Sequence, residues 1–574
     1  MNKKMLIIIM TLTFSILFAQ YDEKKIMFNQ AQSFENLNQL TRAQQIYKDL
    51  LKKYPQDQEV VQKLFYNYIR VSDLQNASIL LEDKKPILNQ TFYTQSKILL
   101  LCKDNRISEA ISLADSFISE NPNLINNYQS IASTFEQNNL FEIAAKYYKQ
   151  ARKISHNETI FALELSNTYY QLQDYQATIK ESVVLIIQNK AYVYYVTSRF
   201  KEIVNRDSLM IDEIQRNCEH NDTEEVRELY ALSLVELKQY QKALSIYDNL
   251  NTEKFIRFCD ELYANSLLDY ALQGYEMILK KVNQPILIGD MKLKMAKVYL
   301  SRKDINSAKN YLNQIISMNE LTNQQNLYKT KVHRESREIM ASVLIMDNAD
   351  KDKVLSAFND AEKYIFNQND KKNIAFKKVH YLSMKEEYTE AEKLLDNTLK
   401  GEEYGSVIIA KSLYFRYELY LMKNDVKVDS MMTEYILFSP EDNAINDMLF
   451  LSLFVKNLPK EKQNTFLKAY RYKQLYQDSL ATSLLQTILD DFQNDELKLL
   501  LAEWYISDLK YDKALVLYNG KFDNEVYQEF AKLEAVKIET EKEFRRNQIT
   551  DYLKNTPNSV FSPLFRQLLV KKIM

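Results

Sequence analysis

Residues 125–158 read INNYQSIASTFEQNNLFEIAAKYYKQARKISHNE, and their spacing decides the fold. Tyr128, Ile131, Ala132 and Phe135 fall at i, i+3, i+4 and i+7, one apolar stripe of a helix. A polar Gln137-Asn138-Asn139 turn follows, and Phe141, Ala144, Tyr148 and Ala151 then mark the stripe of a second helix. The same neighbours recur in 27–55 as Met27, Ala31, Phe34, Ala43, Tyr47, Leu50 and Pro55, with His156 standing where Pro55 would fall. Outward from Ala144 the small residues form a ladder of Ala43, Ala77, Ala110, Ala144 and Thr178, in steps of 34, 33, 34 and 34 residues. A fixed period in this range means stacked supersecondary units. One helix pair cannot bury its own apolar face, so each leans on the next and stability is expected to be a sum of nearest-neighbour interfaces. A small residue at each rung lets two helices cross closely. A larger one would force the axes apart at roughly 1–3 kcal/mol.

Composition agrees with an all-α chain. The 574 residues are 46% hydrophobic and 26% charged, ordinary for a globular protein, but include only 5 glycines and 8 prolines. Strand-rich and doubly wound α/β folds need glycine at tight turns and close backbone approaches, which this chain cannot supply in number. Short helix–helix turns can be made from Asn, Asp, Lys and Gln instead.

The N-terminus has the pattern of an export signal: Lys3 and Lys4, an apolar run from Met5 to Phe18, and a Leu17-Phe18-Ala19-Gln20 cleavage zone before Tyr21. The run of about 14 residues is shorter than the ~20 a spanning helix needs, so cleavage is expected, with retention as an anchor the alternative. No cysteine follows it to carry a lipid, and no later run approaches a span. Removing Lys3 and Lys4 takes the net charge from −2 to −4, near neutral and without the basic stripe that nucleic acid requires. Cys102, Cys218 and Cys259 are too few and too sparse for a disulfide framework, although Cys218 and Cys259 could pair in an oxidising compartment. The expected organisation is a signal peptide at 1–20, a repeat array at 21–189, an irregular helical joint at 190–223, and a second array at 224–574.

The recurring order of large apolar, small, aromatic, then Ala, aromatic, Ala and Pro resembles the tetratricopeptide repeat. The pattern is sharp in 24–57, 125–158, 159–190, 289–320 (Met295, Ala296, Tyr299, Ala308, Ile315) and 495–519 (Ala502, Tyr505, Tyr511, Ala514, Tyr518). It is weaker in 227–250, 375–399 and 466–488, and 321–336 is polar without a clear rung. The resemblance implies a right-handed superhelical solenoid of antiparallel helix pairs, roughly 12–15 units at this period, with the first helix of each pair lining a concave face. It also implies that first-helix positions alternating with the packing stripe touch the ligand. Those positions are Asn126, Gln129, Ser133, Glu136 and Gln137 in one unit, and Asn167, Tyr170 and Gln171 in the next. In 289–320 they are Asp290 and Lys297, with Lys294 on the same polar side and an apolar Leu293 at the place matching Gln129. The carboxylate clamp of chaperone-binding relatives is absent, since its first-unit places hold Phe28 and Gln32.

Catalytic patterns are missing from the sequence. The glycines form no phosphate loop, the serines lie in helical patterns without a glycine elbow, and His156, His220, His333 and His380 form no metal-ligand pair. Cys218-Glu219-His220 is suggestive only until counted, because two ligands two residues apart cannot complete a tetrahedral site. Many of the 40 tyrosines occupy repeat rungs. The expectation is a non-enzymatic protein-interaction scaffold of a bacterial envelope, with no cofactor or metal, holding a peptide or partner helix in its groove. The alternative is a binder of wall glycan through tyrosines off the rungs, such as Tyr194, Tyr195, Tyr404 and Tyr470.

Overall fold

The computed structural model describes residues 23–322, 327–402 and 406–570. The signal segment, Tyr404 and the last four residues lie outside that range. The described residues are all-α, with helices joined by short turns and no strand among them. Contacts divide the chain into two compact units, Met1–Phe255 and Ile256–Met574.

Within the first unit, helix pairs follow one another: 23–36 with Leu40–Lys53, Gln58–Arg70 with Leu74–Lys84, Gln90–Lys103 with Ile107–Glu120, and Ile125–Glu136 with Phe141–Ser155. The rungs Ala43, Ala77, Ala110, Ala144 and Thr178 are all fully buried, where two helices cross with no room for a longer side chain. Three second helices start with an aspartate cap: Asp73, Asp174 and Asp304 each accept a hydrogen bond from the backbone amide three residues on, at 3.0–3.2 Å.

The turn inside most pairs follows one recipe. Asn38, Ser72, Asn105, Asn139, Gln173, Lys238, Ser266, Lys303, Asn348, Glu386, Asn424, Tyr476 and Leu509 all take φ between 50° and 66°. The next amide donates to the carbonyl five residues back, as Leu140 N does to Phe135 O at 3.0 Å. Glycine would suit this left-handed position best, yet the chain fills it with polar residues, and even with Tyr476 and Leu509.

The irregular stretch 190–223 forms a helix pair too, Val193–Arg206 and Met210–His220, whose turn lacks the left-handed residue. Val196, Phe200, Ile203, Ile214 and Cys218 bury it between Ile179 and Val183 on one side and Val226 and Leu229 on the other. The polar stretch 321–336 likewise lies largely in a first helix, Leu327–Met346. Here Thr330, His333 and Ser336 are buried in place of apolar residues. Ser336 Oγ donates to the Val332 carbonyl at 2.7 Å, and His333 Nε2 meets the Ile316 carbonyl at 3.1 Å and its ring stacks edge-on against Tyr364. These buried polar side chains, bonded in part to nearby carbonyls, hide the rung from a pattern of apolar residues. Gly289 packs just before them, and a Cβ there would lie 2.8 Å from Leu321 Cδ1.

The second unit departs from strict neighbour-to-neighbour stacking. Lys303 Nζ donates to Asp478 and Asp508, each at 3.1 Å; Gln477 Nε2 donates to Asn348 Oδ1 at 2.8 Å; Arg471 pairs with Glu386. These partners are 85 to 205 residues apart in sequence. The turns of early pairs therefore meet the turns and helix ends of late ones, and this unit closes back on its own turn edge. Helix Ala444–Asn457 stands outside the pairing, laid beside Val407–Met422 with Tyr417 Oη bonded to the Met448 carbonyl and Ser452 Oγ.

Candidate functional site

First helices of successive pairs lie side by side, so polar residues on their shared face meet one another. In the first unit Gln129 Nε2 approaches Glu164 Oε1 at 3.4 Å. Glu136 accepts from Thr168 of the next pair and from Tyr148 Oη at 3.0 Å. Glu35 receives Tyr47 Oη in the same way at 3.1 Å, so a carboxylate twelve residues before the rung tyrosine anchors the phenol in two units. Burial and the adjacent carboxylate push both phenols well above the usual range. Asn167 Oδ1 accepts from Tyr195 Oη and from Arg199 at 2.8 Å. The Arg199 guanidinium lies over the rings of Tyr170 and Tyr195 at 4.4 and 4.7 Å. Asn126, Gln129, Gln137 and Gln171 are exposed, and Ser133 is half-buried.

In the second unit Lys294 Nζ donates to both Asp260 oxygens at 2.7 and 2.8 Å, and Asp260 also receives Tyr275 Oη at 2.6 Å. Lys297 Nζ donates to Glu335 at 2.6 Å. Asp290 is part-buried, and desolvation raises its carboxyl above the ordinary range, opposed by Lys294. Further along, Lys377 pairs with Glu338 at 2.8 Å, Lys411 Nζ with Asn373 Oδ1 at 2.7 Å, and His380 Nδ1 with Glu418 at 2.9 Å. Of the expected ligand-contacting residues, Glu136, Asn167, Lys294 and Lys297 are bonded to the neighbouring pair.

Three adjoining concavities lie elsewhere on the second unit. A cavity of 610 Å³ is lined by Arg334, Lys377, Lys411, Phe376, Phe415 and Tyr414 among others. It shares Tyr414 with a cavity of 280 Å³ walled by Tyr417, Glu418, Asp447, Phe450, Tyr470 and Trp504. That one shares Phe450 and Leu500 with a third of 470 Å³, bounded by Glu496, Glu503, Tyr527, Phe530 and Glu534. The three form one groove along the first helices Gln368–Met384, Val407–Met422, Asp495–Ser507 and Glu525–Ile538, with the unpaired helix Ala444–Asn457 between them. Its floor is aromatic: Phe376 and Phe415 stack at 5.2 Å, and Phe450, Phe454, Phe466 and Tyr470 contact in sequence. Phe450 is 53% exposed and Leu453 55%, large apolar surfaces open to solvent.

Sequence reasoning placed only Tyr470 of this groove among the candidates. A signal was available in AINDMLFLSLFVKN, where Ile445, Met448, Leu449, Phe450, Leu451, Leu453, Phe454 and Val455 spread apolar side chains around the whole helix. A helix with one core-facing side should not need them all. Of the other tyrosines off the rungs, Tyr194 is exposed on the first unit and Tyr195 is engaged by Asn167 and Arg199.

Among the described residues no cluster of three or more His, Cys, Asp or Glu side chains could hold a metal, and no helix is long and apolar enough to cross a membrane. The three cysteines are free thiols. Burial pushes Cys102 up to about 11 and Cys218 up to about 12, so they stay protonated at neutral pH.

Comparison with known proteins gives one family match, the tetratricopeptide repeat, over residues 26–57. No curated protein matches the sequence. Solved structures that align with it include Naa15/Naa10 bound to HypK-THB, at 12% identity, TM-score 0.22, and coverage of 95% of this chain and 78% of that one. The APC/C hetero-tetramer Cut9–Hcn1 aligns at 14% identity and TM-score 0.23, covering 98% and 99%. A tetratricopeptide repeat protein from Parabacteroides merdae ATCC 43184 aligns at 10% and 0.22, covering 55% and 99%. The family match falls on the helix pair that carries Ala31, Phe34, Ala43 and Tyr47. Residues 26–57 match the tetratricopeptide repeat, and further helix pairs follow them among the described residues.

Proposed function

We propose that this protein is a non-enzymatic scaffold of a bacterial cell envelope that holds a segment of a protein partner in the groove of its second unit. The observation that carries the reading is the run of aromatic side chains lining three adjoining cavities between Phe376 and Phe530, with Phe450 exposed to solvent and carboxylates on the walls. A cleft of this kind suits side-chain anchors from a peptide or helix, whose apolar faces fill pockets while polar groups set register. The repeat at 26–57 supports protein–protein interaction as the class of function. The export reading rests on Lys3, Lys4 and the apolar run that follows.

Site-specific photocrosslinking in the native host tests the partner reading. A photoreactive residue at Phe450 should give a discrete adduct with a protein, while one at Val516, exposed on a second helix, should give none. Adducts equally abundant at both positions, or adducts to wall glycan alone, would overturn it. Deleting residues 2–20 should strand the full chain in the cytoplasm; unchanged fractionation would refute export.

A further inference from the structure

The groove is not uniform in charge. Its first cavity carries Arg334, Lys377 and Lys411, but Glu338, Asp370 and Asn373 sit among them, and Lys377 and Lys411 are already bonded there. The second and third cavities are lined by Glu418, Asp447, Glu496, Glu503 and Glu534 and by no lysine or arginine. Glu418 is buried against His380, Glu496 receives Tyr527 Oη at 2.9 Å, and Glu534 meets Lys537 at 2.6 Å. Asp447 and Glu503 stand exposed at the rim beside Phe450 and Trp504.

Aromatic faces and carboxylates converge in the 280 Å³ cavity. Tyr414, Tyr470, Phe450 and Trp504 present π surfaces, with Glu418 and Asp447 at its wall. Burial and these two charges push the Tyr414 and Tyr470 phenols upward, which reports a site disposed against further negative charge. The Trp504 ring already has one ammonium near it, Lys473 Nζ at 6.0 Å from its centroid. A cation over such rings is attracted by their quadrupole, more strongly where carboxylates supply the counter-charge.

Building on the partner reading above, we infer that the stretch of groove between Tyr414 and Phe530 receives a basic, apolar-anchored peptide segment. A lysine or arginine enters the aromatic cavity bounded by Glu418 and Asp447, and leucine-like or aromatic anchors lie on Phe450, Leu500 and Phe530. Charge complementarity selects this occupant over an acidic segment, which would meet five carboxylates and no cation on those two cavity walls.

Selection of a random 16-residue peptide library on the full-length chain tests the assignment, followed by affinity measurements on the recovered peptides. Recovered sequences should be enriched in Lys and Arg together with Leu and Phe. Asp447→Lys combined with Glu503→Lys, both at exposed positions, should weaken them about tenfold, and high salt should weaken them similarly. Replacing their Lys and Arg by Glu should lower affinity at least tenfold on the natural chain and recover part of it on the doubly substituted one. Peptides without a positive bias that still lose binding with Phe450→Ala would refute the cationic assignment while leaving the groove as the docking site. Peptides indifferent to Phe450→Ala and to the charge reversals would sink both. Circular dichroism of each variant separates lost binding from lost fold.

Discussion

The two units are made from the same helix pair, yet they solve different problems. In 23–255 the bonds of Tyr47 to Glu35 and Tyr148 to Glu136 close their own helix pairs, and bonds such as Glu136–Thr168 and Asn167–Arg199 join one pair to the next across the shared polar face. In 256–574 turns far apart in sequence meet through Lys303, Asn348 and Glu386, and an unpaired helix leaves a groove floored by aromatic rings. The interruption at Ala444–Asn457 is what leaves apolar surface available.

This contrast can be broken most severely in the first unit. Arg152 makes a two-pronged pair with Glu181 at 2.7 and 2.8 Å, both side chains 9% exposed, and also donates to the Ile160 carbonyl. Glu181→Ala leaves a buried guanidinium unpaired and should cost about 3–5 kcal/mol. Hydrogen exchange should show protection lost across 141–188 while 256–570 keeps its own.

A paired substitution sharpens the comparison. Ala144→Leu and Ala481→Leu each overpack a fully buried rung, at roughly 1–3 kcal/mol. In the first unit the loosening should stay with adjoining pairs, as nearest-neighbour coupling demands. In the second it should reach helix ends near Lys303, Asn348 and Glu386, because Gln477, Asp478 and Arg471 tie those turns to the substituted pair. Equal spread in both units, read by hydrogen exchange, would show that the long-range contacts carry no coupling.

A pH effect belongs to the second unit. Burial disfavours a charged His380, but the charge and hydrogen bond of Glu418 outweigh it and raise the imidazole above its usual value. Its contribution is therefore complete below the unfolded histidine value of about 6.5 and is lost as pH rises through the folded value. Protection of Gln368–Met384 and Val407–Met422 should fall with rising pH in the natural chain, and His380→Gln should flatten that dependence.

The smallest expected change is a gain. Lys238 is exposed and held at φ 60°, in the left-handed turn of a first-unit pair. Lys238→Gly should stabilise Glu224–Glu236 and Tyr240–Tyr247 by about 0.5–1 kcal/mol, visible as slower exchange at the turn.

How much of this could be read from the sequence follows from what repeats. Tyr128, Ile131, Ala132, Phe135 and Ala144 are fixed by packing against an identical neighbour, so their spacing announces the fold before any coordinate. The turn chemistry was legible for the same reason, with Asn38, Asn105 and Asn139 at matching places. The helix over 327–346 escaped because Thr330, His333 and Ser336 are polar residues buried where the pattern would place apolar ones. The groove escaped more completely. Phe450 looks like a core residue in a linear reading, and only the position of the unpaired helix turns it toward solvent. Lys294 and Lys297 are bonded to Asp260 and Glu335 of neighbouring helices, partners that the spacing within one pair does not reveal.

Hydrogen exchange of the full chain, with and without the partner captured through Phe450, tests the central claim most directly. New protection is predicted in Val407–Met422, Ala444–Asn457 and Asp495–Ser507, with 23–255 unchanged. Protection confined to the first unit, or absent from the helices that line the groove, would contradict the account.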